Sequence, residues 1–124
     1  MTTSPHSIGS EQNLETASEQ MDRYKIRHLP VLKAGKVIGI LSDRDIKLAS
    51  SFEGFDPSET LVDDIAHEEV YVVSPNAKLD EVVSAMASKK LGSAVVMDNG
   101  KLVGIFTAVD ALTAFAELLH TRLA

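Results

Sequence analysis

The chain contains no cysteine, which excludes a disulfide frame, a thiolate metal site and a cysteine nucleophile. It lacks an excess of positive charge: 12 Lys and Arg stand against 18 Asp and Glu, for a net charge of −6 and a pI near 5.1. That balance argues against a non-specific nucleic-acid partner and against an anionic membrane surface, though it leaves room for one local basic pocket. No apolar run approaches the roughly 18 to 20 residues of a membrane span. The opening residues, Met1 to His6, carry neither a basic nor an apolar segment of the secretory kind. A cytoplasmic protein is the resulting expectation.

What is present is an ordinary globular composition, 44% hydrophobic and 24% charged over 124 residues. That is one domain's worth of chain, long enough to bury a core. Residues 1–13 are polar and turn-rich, with Ile8 able to start a short strand. Leu14, Ala17 and Met21 recur at helical spacing and predict a helix over 14–24. Leu29–Leu32 and Val37–Leu41 read as strands of a hairpin about Ala34-Gly35-Lys36, with Pro30 suggesting an edge or entry position. Ser42 then opens a helix to about Phe52, because Ser42 and Asp45 have the spacing of a capping box.

The same order returns further on. Glu53 to Ser58 is a breaker cluster and reads as a linker, 53–60. Leu61–Ala66 predicts a short helical turn, Val70–Val73 a strand, Ser74-Pro75-Asn76 a turn and helix cap, and Leu79–Lys89 a second amphipathic helix. Ala94–Met97 and Leu102–Phe106 repeat the hairpin, and Thr107 opens a last helix to about Leu123. The two stretches align without a gap at one constant offset: Met21, Val31, Gly35, Gly39, Ile40 and Asp45 recur as Met86, Val96, Gly100, Gly104, Ile105 and Asp110. Ser42 becomes Thr107, which keeps the hydroxyl. Repeated units that cannot bury a face alone pack on one another. The expected organisation is a first repeat over 1–52, a linker over 53–60 and a second repeat over 61–124, packed about a pseudo-twofold axis.

A strand hairpin closing on G-x-x-[ST]-x-x-D, present as Gly39 to Asp45 and again as Gly104 to Asp110, resembles a tandem pair of CBS domains, the modules named after cystathionine β-synthase. Arg27-His28-Leu29-Pro30-Val31 and Val73-Ser74-Pro75 support the resemblance. It covers essentially the whole chain. It implies an α+β fold of two β-α-β-β-α repeats (a Bateman module) and a homodimer. It also implies a regulatory, non-catalytic role in sensing an adenosyl ligand such as AMP, ADP, ATP or S-adenosylmethionine. Two departures stand out. The first copy begins almost at Met1, which shortens its leading segment, and Ala108-Val109 replaces Asp43-Arg44.

Each corner residue has a structural use beside the functional one. Ser42 and Thr107 at a helix start cap it, a contribution of about 1 kcal/mol, while the free N–H groups there also favour an anion. Asp45 and Asp110 complete a capping box, or accept the hydroxyls of a ribose, as the resemblance implies. For Asp45 the ribose use is favoured; for Asp110 both uses stand open. Arg44 sits in the first turn, where the helix dipole disfavours a cation, and a planar guanidinium there suits a phosphate. The resemblance then implies a first site of Ser42, Arg44 and Asp45, with Arg27 and His28 nearby, Ile40 against the base, and Leu91 and Gly92 closing the adenine pocket. The second site uses Thr107, Asp110, Ile105, Ile26 and Arg27. Lacking its own cation, it is expected to take a weaker or uncharged ligand, or none.

No metal site is expected at His28, since no second ligand stands at metal spacing. His6, His67 and His120 are scattered, and Asp63-Asp64 and Glu68-Glu69 read as solvated faces rather than catalytic pairs. The apolar residues of the last helix, Leu112, Phe115, Leu118, Leu119 and Leu123 among them, suit either a core or a dimer interface. Two other readings remain open. One is a structural dimerisation or protein-interaction module with empty sites; the other is the regulatory part of a larger enzyme or transporter. The effector protein is unknown on any of these readings.

Overall fold

A computed structural model describes residues 2, 3 and 5–123. In chain order the elements are β1 (Thr2–Thr3), β2 (Ile8–Gly9), α1 (Leu14–Tyr24), β3 (His28–Lys33), β4 (Lys36–Ser42), α2 (Asp43–Ser50) and α3 (Val62–Ile65). They continue with β5 (Val72–Val73), α4 (Leu79–Lys89), β6 (Ser93–Asp98), β7 (Lys101–Thr107) and α5 (Ala108–Leu123). The fold is α+β, as the repeat pattern implies. The elements group into two compact units, one of His6–Val70 and one of Met1–Pro5 with Tyr71–Ala124.

The first of these units holds the sheet β2-β3-β4, with β2 parallel and β4 antiparallel to β3. One face of α1 supplies Leu14, Ala17 and Met21 to a buried cluster with Leu29, Val31, Leu41, Ile46 and Val62. Asn13 caps α1 by accepting from the Thr16 N–H at 2.9 Å. The carbonyls of Thr60 and Pro57 take the N–H groups of Leu14 and Glu15 at 2.9 and 3.2 Å. The helix's otherwise unpartnered first donors are thereby satisfied. Segment 53–60 thus seats against the α1 N-terminus, with Phe55 packed on the core. The division between compact units falls after Val70, further along than the breaker cluster. Within this segment Asp56 is held below the usual carboxylate range by the Ser58 hydroxyl and N–H.

Pro30 lies in the central strand of its sheet rather than at an edge. The backbone geometry accounts for this. Its cross-strand partner Ile40 spends both its N–H and its carbonyl on His67, at 3.0 Å each, so Pro30 faces no β4 acceptor. On the other side β2 reaches only Val31 and Leu32. A residue that cannot donate therefore leaves no ladder bond broken.

The second unit repeats the plan as the sheet β1-β7-β6-β5. Its core gathers Val82 and Met86 of α4 with Ala94 and Phe106. The turns match residue for residue. Ala34-Gly35 and Asn99-Gly100 all have positive φ, at 52°, 77°, 51° and 77°, the double left-handed turn that matches strand twist in a two-residue hairpin. Lys25 and Lys90 both end their helices left-handed, at φ 54° and 56°, and Ile26 and Leu91 donate back to Met21 and Met86 at 3.0 and 2.9 Å. Four details differ from expectation. Thr2–Thr3 forms a strand on β7, which a polar, turn-rich sequence does not announce. Strand β5 is two residues long, and α2 ends at Ser50. The helix α4 starts after Lys78 with no side-chain cap, while the Ser74 carbonyl closes a separate turn before it by accepting from the Ala77 N–H.

Candidate functional site

In the first unit, strand β4 delivers Ser42 to the start of α2, and the two-way cap forms. The Ser42 hydroxyl accepts from the Asp45 N–H at 3.1 Å, and Asp45 Oδ2 accepts from the Ser42 N–H at 2.9 Å. In the second unit Thr107 and Asp110 do the same, at 3.2 and 2.9 Å. The capping use of both acids is therefore real in this structure. It engages one oxygen of each carboxylate.

Around the first corner, Arg27 gives its carbonyl to the Asp43 N–H at 2.8 Å, which ties the entry of β3 to the first turn of α2. Gly92, which is the Arg27 position of the other copy, does likewise for the Ala108 N–H at 2.9 Å. His28 pairs across the sheet with Ser42 and is part-buried. Burial pushes its imidazole pKa down from the ordinary value, helped by Arg27 and opposed by Asp45 and Asp43. The Arg27 and Arg44 side chains are exposed, and neither makes an ion pair among the described residues. Asp43 is instead bridged by Lys47 at 3.0 Å one turn on. Ile26 and Ile40 are part-buried.

Around the second corner, Ser93 pairs with Thr107 and Ile105 is buried, while Leu91 is part-buried and Gly92 exposed. Ala108 and Val109 leave its first turn without a cation. The structure thus assembles Arg27, His28, Ile40, Ser42, Arg44 and Asp45 in one unit. It assembles Leu91, Gly92, Ile105, Thr107 and Asp110 in the other.

One residue of the first corner carries no sequence signal for it. His67, read above as a scattered histidine, places Nε2 at 2.7 Å from Asp45 Oδ1. Both oxygens of Asp45 consequently have partners. The placement comes from a two-bond backbone bridge to Ile40, a pairing between segments well separated in the chain. Only the repeat could have pointed to it. Under the offset that relates the copies His67 is the counterpart of Thr2, and Thr2 pairs with Ile105 as His67 does with Ile40.

Among the described residues no group of three or more His, Cys, Asp or Glu could hold a metal ion. No described helix is long and apolar enough to cross a membrane. The α5 helix buries none of its residues and exposes Val109, Leu112, Phe115, Leu118 and Leu119.

Comparison with known proteins agrees with the repeat. The CBS domain family matches residues 1–51 and 62–117. The CBS domain-containing protein YhcV of Bacillus subtilis is 29% identical over 110 residues, which span 89% of this chain and 78% of that protein. The structure of a Vibrio cholerae protein named for acetoin utilization (AcuB) is 33% identical, with a TM-score of 0.83 over 98% of this chain and 90% of that one. The CBS domain pair of protein MJ0100, in complex with 5′-methylthioadenosine and S-adenosyl-L-methionine, shares the fold at 22% identity, with a TM-score of 0.79 over 91% and 90% of the two chains. With two gapless copies of one unit, each closing on a hydroxyl-acid cap, this chain belongs to the CBS domain family as a tandem pair.

Proposed function

We propose that this CBS pair is a regulatory sensor that binds an adenine nucleotide, AMP, ADP or ATP, at the Ser42–Asp45 corner, and that it works as a homodimer in the cytoplasm without catalysing a reaction. The observation that carries the reading is the first turn of α2: a capped helix start with an exposed guanidinium, Arg44, that no acid among the described residues engages. A cation there opposes the helix dipole by a few tenths of a kcal/mol or more, and a phosphate relieves that opposition while accepting two hydrogen bonds. Arg27 and His28 add donors beside it. The ribose falls to Asp45 and the base to Ile40. Leu91 and Gly92 belong to the adenine side of the first site, and Ile26, Arg27, Ile105, Thr107 and Asp110 form the second.

The MJ0100 pair, with its two adenosyl compounds, supports the choice of adenosyl chemistry for this fold. Regulation follows if the ligand favours one arrangement of the pair over others, since differential affinity is what shifts a population. The exposed apolar side chains of α5 support self-association.

Calorimetry with AMP, ATP and adenosine tests this. At least one phosphorylated compound binds, and Arg44→Ala weakens it tenfold or more while adenosine changes little. Equal losses for all three would remove Arg44 from phosphate recognition. Silence toward every adenine compound would favour the interaction module with empty sites, a reading that the occupied Asp45 carboxylate also supports.

A further inference from the structure

We infer that His67 is a removable cover on the first corner: its imidazole competes with an incoming hydroxyl for Asp45 Oδ1 and so sets the affinity of that corner alone. The inference rests on the proposal that Asp45 receives a sugar.

The placement of His67 has two separable parts. Its backbone is fixed by the pair of bonds to Ile40, both 3.0 Å, and by the absence of a side chain at Gly39, over which the His67 carbonyl passes. Any residue except proline could make those contacts, because they use main-chain atoms only. The imidazole is an addition to them. It reaches Asp45 Oδ1 at 2.7 Å while remaining 66% exposed, and the carboxylate beneath it is only 12% exposed. With Oδ2 already taking the Ser42 N–H, the ring stands on the oxygen that the cap leaves free and shields it from solvent. Rotation about two side-chain torsions uncovers Oδ1 and leaves the edge pairing intact.

The other copy shows the same backbone device without the ring. Thr2 pairs with Ile105, the positions equivalent to His67 and Ile40, and the Asp110 cap is formed as the Asp45 cap is. The residue at the equivalent position is threonine there and histidine here, so the backbone pairing does not require histidine. The imidazole belongs to the corner that has the cation Arg44. A ligand at the first corner must then bring enough binding energy, phosphate on Arg44 included, to displace the ring.

The test measures adenosine and AMP binding calorimetrically to the wild-type chain, His67→Ala, His67→Gln and His67→Ala with Asp45→Asn. The expected result is a gain of threefold to tenfold for His67→Ala, near-wild-type affinity for His67→Gln, whose amide can still donate to Asp45, and loss of the gain when Asp45→Asn is added. Unchanged urea midpoints for the His67 variants check that the main-chain bridge persists. Binding that is equal or weaker in His67→Ala overturns the cover while leaving the adenosine reading in place. A gain that survives Asp45→Asn also overturns it. Absence of binding by both wild type and His67→Ala overturns the adenosine reading, and the cover with it.

Discussion

Gly39 and His67 meet main chain to main chain: a Cβ built at residue 39 would lie 2.6 Å from the His67 carbonyl oxygen and 3.5 Å from its carbon. The glycine is buried in β4, and its only special property is the missing side chain. Gly39→Ala must push 66–67 off the strand edge or bend β4. Overpacking against backbone costs about 1–3 kcal/mol, so the unfolding free energy from urea titration should fall by that amount, with a lower midpoint, and the Ile40 amide should exchange faster. A variant as stable as wild type, with the Ile40 amide still protected, would mean that the close passage is not the preferred arrangement.

The helices α1 and α4 are equivalent, yet only the first is capped. Asn13 accepts from the Thr16 N–H, whereas Lys78, its counterpart in the second copy, caps nothing and has an extended φ and ψ of −71° and 128°. Lys78→Asn restores an acceptor at the position where α4 begins and removes a cation from the positive end of the dipole. N-cap replacements of this kind contribute about 0.5–2 kcal/mol, and a gain near the middle of that range is expected in denaturant unfolding. The same substitution changes no residue assigned to either ligand site, so nucleotide calorimetry on the variant should match wild type.

His28 connects stability to pH. Burial lowers its folded pKa from the ordinary 6.5, with Arg27 acting the same way and Asp45 and Asp43 acting against. Below pH 6.5 the unfolded chain therefore binds the proton more readily than the folded one. Stability falls as pH drops from the ordinary value toward the lowered one and levels off beneath it. Urea unfolding at pH 7.5, 6.5 and 5.5 should show a loss for wild type that His28→Gln reduces. Parallel pH profiles for the two proteins would show that His28 does not couple folding to protonation.

The helices, the two hairpins and both capped corners were legible in the sequence because local rules dictate them. Apolar spacing of three and four places Leu14, Ala17 and Met21 on one face. Asn99-Gly100 is built for a left-handed pair, and a hydroxyl three residues before an acid closes its own box. Repetition reinforced them, since the helical apolar spacing, the hairpin glycine and the corner box each occur twice at one offset. Where local rules mislead, a longer-range demand had won. Ser74 resembles a cap but closes a turn of its own, Pro30 looks like an edge residue but sits where its missing donor faces no acceptor, and the breaker cluster at 53–60 supplies carbonyls to the start of α1.

What the sequence determined by itself was therefore the unit and its duplication, down to the hydroxyl and acid of each corner. The tertiary structure decided which main chain lies along the exposed edge of each unit's last strand, β4 in one and β7 in the other. Residues 40 and 67, or 2 and 105, are brought together by edge pairing of main chain, which every residue type but proline can support and which composition does not encode. Through that pairing a histidine with no local signal came to rest on Asp45, which adds to the difference that Asp43-Arg44 and Ala108-Val109 already make between the two corners.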